Sequence, residues 1–130
     1  SIALGFLRSS RDIKQIICID GDGSVLMHMG SLFKVSKQAG FIHIVINNNA
    51  HDSVGGQNTY SNDINFEKLS KSLGFKKFYS IKNNQNLKKN IKQFLSGNSL
   101  NFLEVKVTNS KIKNLPRPKD LIKIKNQFMK

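Results

Sequence analysis

The chain lacks the features on which several specialised classes of protein depend. Among its 130 residues are one cysteine and two prolines, which excludes an intrachain disulfide framework and a collagen-like or proline-rich chain. Its longest apolar runs, such as residues 15–19 and 42–46, are far shorter than the roughly 20 residues that cross a bilayer. With a lone thiol and no signal-peptide pattern, we expect a cytoplasmic protein without a membrane segment.

Acidic residues are scarce in the second half, and the formal net charge is +13. Residues 1–65 carry five Lys and Arg against five Asp and Glu, whereas residues 66–130 carry sixteen against three. The lysines are spread through helix and strand patterns, without the interleaved aromatic residues on which bases stack. We interpret the excess as a solvated basic surface rather than a nucleic-acid site. A basic α/β module that binds nucleic acid stays open as the alternative.

Apolar residues alternate between strand-like runs and helix-like spacing. Strands are predicted, in chain order, at residues 15–19, 42–46, 78–81 and 102–107, the first of them as a buried parallel strand. Helices are predicted at residues 2–7, 25–38, 65–73 and 85–95 and after Pro118. Because strands separated by helices need crossover connections, the order predicts an α/β fold over residues 1–130: one domain with a mostly parallel sheet and helices on both faces, a three-layer αβα arrangement.

Polar residues and glycines follow the first two predicted strands. Gly-Asp-Gly-Ser at residues 21–24 follows the first strand, and a long polar loop at residues 47–65 follows the second. Ligands of open parallel sheets bind where the strands end, and a single βαβ unit joins these two strands. If the strands are neighbours, Asp22 and Asn48 emerge side by side at one edge.

The Gly-Asp-Gly-Ser turn predicts a diphosphate site that needs a cation. Gly21 and Gly23 let the backbone approach a phosphate closely, and the helix that opens near Ser24 directs free N–H groups at an anion. Asp22 would repel a diphosphate unless Mg²⁺ lies between them, and Mg²⁺ accepts carboxylate, amide and carbonyl oxygens. The turn lacks the third glycine of G-x-G-x-x-G and the Gly-Lys-Ser/Thr of a Walker loop, which excludes both nucleotide motifs.

Gly-Asp-Gly, followed after 23 residues by Asn47-Asn48, resembles the signature of thiamine-diphosphate-dependent enzymes. The longer strings IDGDGSVLMHMGSLFKV and HIVINNNAHDSVGGQNT resemble the phosphonopyruvate decarboxylase branch of that family. Lower similarity continues through LSKSLGFKKFYSIKN, FLEVKV and a terminal RPK and NQFMK, so the resemblance covers nearly the whole chain. It implies the thiamin diphosphate-binding fold, with thiamine diphosphate and Mg²⁺ as cofactors.

The resemblance also implies a role for each residue of the motif. The implied metal ligands are Asp22, the side chain of Asn48 and the backbone carbonyl of Ala50. The implied cofactor-binding residues are Gly21, Asp22, Gly23, Ser24, Asn48, Ala50 and His51. The implied substrate-facing residues are His51, Asp52, Ser53 and Val54, and no catalytic residue is assigned. The chain departs from the family at Asn49, where glycine is usual, and at Asn58, where proline is usual. Asparagine tolerates left-handed backbone, so Asn49 is expected to affect loop rigidity more than fold.

In the resembled enzymes a pyrimidine-binding domain carries a glutamate that activates the cofactor, and neither is found here. The only glutamates, Glu67 and Glu104, lie on a predicted helix and a predicted strand. The chain opens at Ser1 within a predicted helix, so we expect an N-terminally truncated diphosphate-binding domain. Its pyrimidine-binding partner would lie upstream on the same chain or on a separate subunit.

The activity implied for the full enzyme, expected to be a homo-oligomer, is that of a carboxy-lyase acting on a small 2-oxo acid. The substrate indicated is 3-phosphonopyruvate, which would yield phosphonoacetaldehyde and CO₂, and the fragment alone is expected to be inactive. A sulfopyruvate-type or other 2-oxo acid decarboxylase subunit stays open, as does a degenerate domain without activity.

The remaining candidate side chains are expected to be structural. Cys18 is expected in the core, His28 and His43 as satisfied structural histidines, and Met27 and Met29 in helix packing. Arg117 could reach a substrate phosphonate, but sixteen basic residues share that half of the chain, so we expect it on the solvated surface.

Overall fold

The computed structural model describes residues 2–9, 12–35, 38–82, 87–96, 99–108 and 118–129. Helices and strands alternate along most of the chain, as the sequence predicts. The elements are α1 (Ile2–Ser9), β1 (Ile16–Gly21), α2 (Asp22–Met27), α3 (Leu32–Val35), β2 (Phe41–Asn47), α4 (Phe66–Ser72), β3 (Lys77–Ile81), α5 (Leu87–Leu95), β4 (Asn101–Lys106) and α6 (Leu121–Phe128). Single 3-10 turns at Met29–Ser31 and Ser61–Asp63 complete the described elements.

The four strands form one parallel sheet in the order β1-β2-β4-β3. The predicted neighbours β1 and β2 pair directly, with Gly21 opposite Ile46. Both strands therefore end at the same edge, and the segments that follow them start next to each other. The connection from β2 to β3 skips one strand position, and β4 then fills that position between them. The last crossover, from β3 to β4, therefore runs across the sheet in the opposite direction to the earlier ones.

Helices cover both faces of this sheet, which confirms the three-layer arrangement. On one face Val25 of α2 and Phe66 of α4 pack with Phe102 of β4. On the other face Phe94 of α5 packs with Leu103 and its neighbours in a second cluster. A reversed crossover places its helix on the opposite face, because βαβ units are right-handed.

Strand β1 is an edge strand, and the prediction that it is a buried strand is wrong. Ile17 is 43% exposed and Ile19 is 64% exposed. Within the described residues, the apolar cluster around α5 contains no residue of β1, so the apolar packing of that described helix does not extend over this side of the strand. Cys18, on the other side of the strand, is half-buried and packs at the margin of the first core rather than inside it.

The helix predicted over residues 25–38 begins earlier and is interrupted. Helix α2 starts at Asp22, directly after the strand, and stops at Met27. His28 leaves the helical conformation with φ −122° and ψ 26°, and its carbonyl accepts hydrogen bonds from the amide and the hydroxyl of Ser31 at 2.9 and 2.8 Å. Local bonds from a serine hydroxyl compete in this way with helix continuation.

The second half follows the prediction closely. Asn65 caps α4 by accepting a hydrogen bond from the amide of Lys68 at 2.9 Å, and Gly74 follows the helix with φ 83°. Asp120 caps α6 in the same way, through the amide of Lys123. Arg117 lies outside the described residues. Among the described helices, none has the length and apolar character needed to span a bilayer.

Candidate functional site

A cavity of about 470 Å³ opens where β1 and β2 end. Its wall is formed by the first turn of α2 and by the loop that follows β2. All the residues that the motif assigned to metal, cofactor or substrate line it: Gly21, Asp22, Gly23, Ser24, Asn48, Ala50, His51, Asp52, Ser53 and Val54. The topology thus brings two segments more than twenty residues apart in sequence to one site.

Asp22 is the first residue of α2 and is only 1% exposed. The hydroxyl of Thr59 donates a hydrogen bond to its Oδ2, which fixes the carboxylate. No side chain caps the N-terminus of α2 at Gly21. Thr59 is a site residue that sequence reasoning missed, because a threonine 37 residues from Asp22 carries no motif of its own.

Asn48 and Ala50 form a tight turn that presents oxygen atoms. The Asn48 Oδ1 accepts the amide of Ala50 at 3.1 Å, and the Asn48 Nδ2 donates to Asp52 Oδ2 at 2.7 Å. An amide oxygen has two acceptor sites, so Oδ1 retains the capacity to bind a cation after this contact. The bond to Asp52 settles which end of the amide is the oxygen.

Residues 51–57 form a compact loop at the rim of the cavity. The His51 carbonyl accepts the amides of Val54, Gly55 and Gly56 at 2.9 to 3.2 Å, and the His51 amide donates to Gln57. Gly56 has φ 78°, a conformation that favours glycine. The loop exposes Asp52, Ser53 and Val54 beside the cavity, at positions open to an incoming molecule.

The two departures from the family pattern are accommodated locally. Asn49 has φ 57°, as expected from its tolerance of left-handed backbone, and its Oδ1 accepts the Ser61 hydroxyl and the Asn62 amide, each at 3.2 Å. These contacts require the Asn49 side chain. They fix the loop after β2 to residues 61 and 62, which a glycine at this position could not do. Asn58 Oδ1 accepts the amide of Tyr60 at 2.6 Å.

Gly23 lies where α2 comes into close contact with the His51 and Thr59 side chains of the loop after β2. A Cβ atom at this position would lie 2.5 Å from Nδ1 of His51 and 3.2 Å from Cγ2 of Thr59. The absence of a side chain therefore lets α2 approach the loop after β2. This close approach, rather than a special backbone angle, is what requires glycine here.

A buried polar network supports the loop from beneath. Glu104 on β4, 5% exposed, accepts hydrogen bonds from Asn47 Nδ2 at 2.8 Å and from the Ser80 hydroxyl at 2.9 Å. Lys106 Nζ lies 3.6 Å from the same carboxylate. Asn47 Oδ1 in turn accepts the hydroxyl of Ser61 at 2.7 Å. The network holds the end of β2 where the Asn48 turn begins.

Two other expectations differ from what the structure shows. Met27 is 66% exposed and lines the cavity, so its assignment to helix packing is wrong, whereas Met29 packs on the core as expected. His28 is exposed and lines a second cavity, which differs from the satisfied structural histidine expected at this position. His43 is 2% exposed, and its Nε2 is hydrogen bonded to Asp20 at 2.8 Å.

Residues 1–105 match the family model described as the thiamine pyrophosphate enzyme, C-terminal TPP binding domain. The chain belongs to the thiamine pyrophosphate enzymes. The family assignment confirms the cofactor and the fold class that the motif implied. Thiamine pyrophosphate and thiamine diphosphate are the same molecule, and its diphosphate end is the part that a Gly-Asp-Gly turn suits.

Curated relatives of this thiamine pyrophosphate enzyme domain include phosphonopyruvate decarboxylases and sulfopyruvate decarboxylases. The chain is 29% identical over 108 residues to phosphonopyruvate decarboxylase of Streptomyces viridochromogenes, covering 82% of this chain and 27% of that protein. It is 32% identical over 122 residues to sulfopyruvate decarboxylase subunit beta of Methanococcus maripaludis, covering 89% of this chain and 63% of that protein. The chain thus spans about a quarter of the first relative and less than two thirds of the second.

Gly23→Ala tests the close approach in this thiamine pyrophosphate enzyme domain. The added methyl group must displace the His51 ring, which we expect to cost about 1–3 kcal/mol of unfolding free energy, as overpacking does. Urea denaturation measures this loss. The control is Gly30→Ala, since a Cβ at Gly30 has no atom within 4 Å. Equal stability of the two variants would contradict the packing described for Gly23.

Glu104→Gln tests the network beneath the loop. The amide replaces one accepting oxygen by a donor that faces the Asn47 or Ser80 donor, so we expect a loss of about 1–3 kcal/mol in unfolding free energy. Glu67→Gln is the matched control, because the exposed Glu67 carboxylate forms an ion pair with Lys71 at 2.7 Å and such pairs contribute about 0.5 kcal/mol or less. A loss at Glu67 as large as that at Glu104 would refute a structural role for the network.

Proposed function

We propose that this chain is the diphosphate-binding domain of a cytoplasmic 2-oxo acid decarboxylase and holds thiamine diphosphate through Mg²⁺. The observation that carries the proposal is the single cavity at the ends of β1 and β2, lined by both halves of the motif. The fold alone would not support a function, since one fold hosts many. The donor atoms around this cavity are specific enough to do so.

The donors suit a hard divalent cation. Asp22 contributes a carboxylate, Asn48 an amide oxygen and Ala50 a backbone carbonyl, and Mg²⁺ prefers such oxygen ligands. The described residues that line the cavity include no lysine or arginine. A bound diphosphate would therefore meet the Asp22 carboxylate without a compensating side-chain charge, and a cation between them resolves the conflict.

The remaining lining residues divide the cavity into two parts. Gly21, Gly23 and Ser24 would hold the diphosphate at the start of α2. When bound, thiamine diphosphate supplies the nucleophilic carbon and the electron sink for loss of CO₂. His51, Asp52, Ser53 and Val54 would face the substrate, and the His51 ring, which lies beside Gly23, would also be next to the cofactor.

The proposed enzyme needs a second domain. The pyrimidine half of the cofactor would be held by a partner domain, upstream on the same chain or on another subunit, in a homo-oligomeric enzyme or an assembly of two subunits. The relative from Methanococcus maripaludis, of which this chain covers 63%, is named as a beta subunit. That name supports a pyrimidine-binding domain on a separate subunit as the second candidate arrangement.

For the substrate we propose 3-phosphonopyruvate, converted to phosphonoacetaldehyde and CO₂, as part of phosphonate metabolism. The support is the AHDSVGGQ segment, which forms the exposed rim of the cavity at His51 to Val54, and the relatives named phosphonopyruvate decarboxylase. The second candidate is sulfopyruvate, from the relatives of that name. Both substrates are small 2-oxo acids with a second anionic group.

Asp22→Asn tests the cofactor site by calorimetric titration of the chain with thiamine diphosphate, with Mg²⁺ and with EDTA. We expect binding only with Mg²⁺, and at least about tenfold weaker binding in the variant, because the carboxylate ligand is lost. Asp63→Asn removes the same charge from an exposed position outside the cavity and should bind like the unaltered chain. Metal-independent binding, or unchanged binding by Asp22→Asn, would overturn the ligand assignment.

The substrate proposal is tested with the enzyme assembled from this chain and its pyrimidine-binding partner. Decarboxylation rates are compared for phosphonopyruvate, sulfopyruvate and benzoylformate. We expect phosphonopyruvate to have the highest kcat/KM. A preference for sulfopyruvate would establish the second candidate and leave the cofactor site intact, since the calorimetric experiment tests that site separately.

A further inference from the structure

Three ligand-type side chains lie together beneath the candidate site. Cys18 and Asp20 are two residues apart on β1, so they face the same side of the sheet, and Cys18 pairs in register with His43 on β2. One potential ligand atom from each residue lies within 4.8 Å of the others. Cysteine, aspartate and histidine together form a mixed sulfur, oxygen and nitrogen set, unlike the all-oxygen set around Asp22.

Hydrogen bonds already draw these side chains to one point. Asp20 Oδ2 accepts both the Cys18 thiol, at 3.3 Å, and the His43 Nε2, at 2.8 Å. The bond from His43 is the main reason that the pKa of Asp20 lies below its ordinary value. Burial, reinforced by Asp20, raises the pKa of the Cys18 thiol to about 11, so the thiol is not an activated nucleophile.

His43 is an unusual core residue. It is 2% exposed, and its Nδ1 has no hydrogen-bond partner among the described residues. A buried polar atom without a partner is costly, and such atoms in proteins generally have a reason such as a functional role or an ion. The other ring nitrogen, Nε2, is the one that is bonded to Asp20 and faces the cluster.

The cluster opens on a second cavity of about 360 Å³. Besides the three side chains, Ser24, His28 and Ser31 contribute polar atoms to its wall. This cavity is separate from the candidate cofactor site, and Ser24 lines both. A species bound to the cluster would therefore have room for a further ligand, either water or a small molecule.

We propose that Cys18, Asp20 and His43 bind a divalent transition metal of the Zn²⁺ class, with the cavity side open to a fourth ligand. Zn²⁺ binds thiolate, imidazole and carboxylate together, and three protein ligands with one open position are a recurring arrangement. Metal binding would release the Cys18 thiol proton to solvent and shift the His43 ring proton from Nε2 to Nδ1, so that the thiolate, Nε2 and the Asp20 carboxylate are the ligands. This inference does not depend on the proposed function, because it concerns different residues and a different class of metal.

Co²⁺ is the probe, because a Co²⁺–thiolate bond gives a sulfur-to-metal charge-transfer absorption. The chain has a single cysteine, so such a band reports Cys18 alone, and an all-oxygen site at Asp22 would give none. We expect one equivalent of Co²⁺ per chain to produce the band and Zn²⁺ to abolish it. Absence of the band, or two chains sharing one Co²⁺, would overturn the proposal.

The variants His43→Gln and Asp20→Asn should each weaken Co²⁺ binding by at least about tenfold, as the loss of a ligand does. His51→Gln removes a histidine from the other cavity and should leave the band unchanged. Circular dichroism establishes whether each variant is folded. A full-strength band in folded His43→Gln and Asp20→Asn would refute the ligand set.

A second measurement uses only the unaltered chain. Alkylation of Cys18 by iodoacetamide, followed by mass spectrometry, should slow when Zn²⁺ is added and recover with EDTA. Mg²⁺ should have no effect, because it binds thiolate poorly. Alkylation at the same rate with and without Zn²⁺ would overturn the proposal even if the variants do not fold.

Discussion

The buried carboxylate of Asp22 is the constraint on which the candidate site depends. A carboxylate that is 1% exposed loses its hydration, and burial of a charge is costly without a partner. Among the described residues, no ion pair includes Asp22, and a single hydroxyl, that of Thr59, donates to its Oδ2. A cation at this position would offset the cost and convert an unfavourable burial into a binding site. Because the acid is the first residue of α2, a cation bound there would lie beside the helix terminus proposed to hold the diphosphate.

The second half of the chain supports the site through the order of the strands. Because β4 lies next to β2 rather than beyond β3, Glu104 lies beneath Asn47 and accepts its amide at 2.8 Å. Glu104, which supports the end of β2, is thus about sixty residues from the Gly-Asp-Gly and Asn-Asn motif in sequence. Of the described basic residues in that half, Lys106 lies 3.6 Å from Glu104 and none lines the cavity. The net charge of +13 therefore says little about this cavity, whose described lining residues include no lysine or arginine.

The motif and the alternation of strands and helices could be predicted from the sequence, because both are local patterns. The break at His28 could not, since it depends on Ser31 bonding to a carbonyl rather than continuing the helix. The exposure of Ile17 and Ile19 depends on which strand is at the edge, and an apolar run gives no information about that. Thr59 and Glu104 became visible as site residues only in the structure, because Thr59 bonds Asp22 from the loop after β2 and Glu104 bonds Asn47 from the neighbouring strand.

The two clusters on either side of Ser24 differ in the metal chemistry they favour, and the difference follows from strand geometry. Asp20 is the last described β1 side chain that faces the α2 side before the turn, and it lies with a thiol and an imidazole. Asp22 follows two residues later, after the chain has become helical, and it lies with amide and carbonyl oxygens. The two proposed sites would therefore favour different metals, because thiolate selects against Mg²⁺ whereas carboxylate and carbonyl oxygens suit it. The chain changes from strand to helix between Asp20 and Asp22. This change of direction separates the Cys18 and His43 cluster from the oxygen atoms around Asp22.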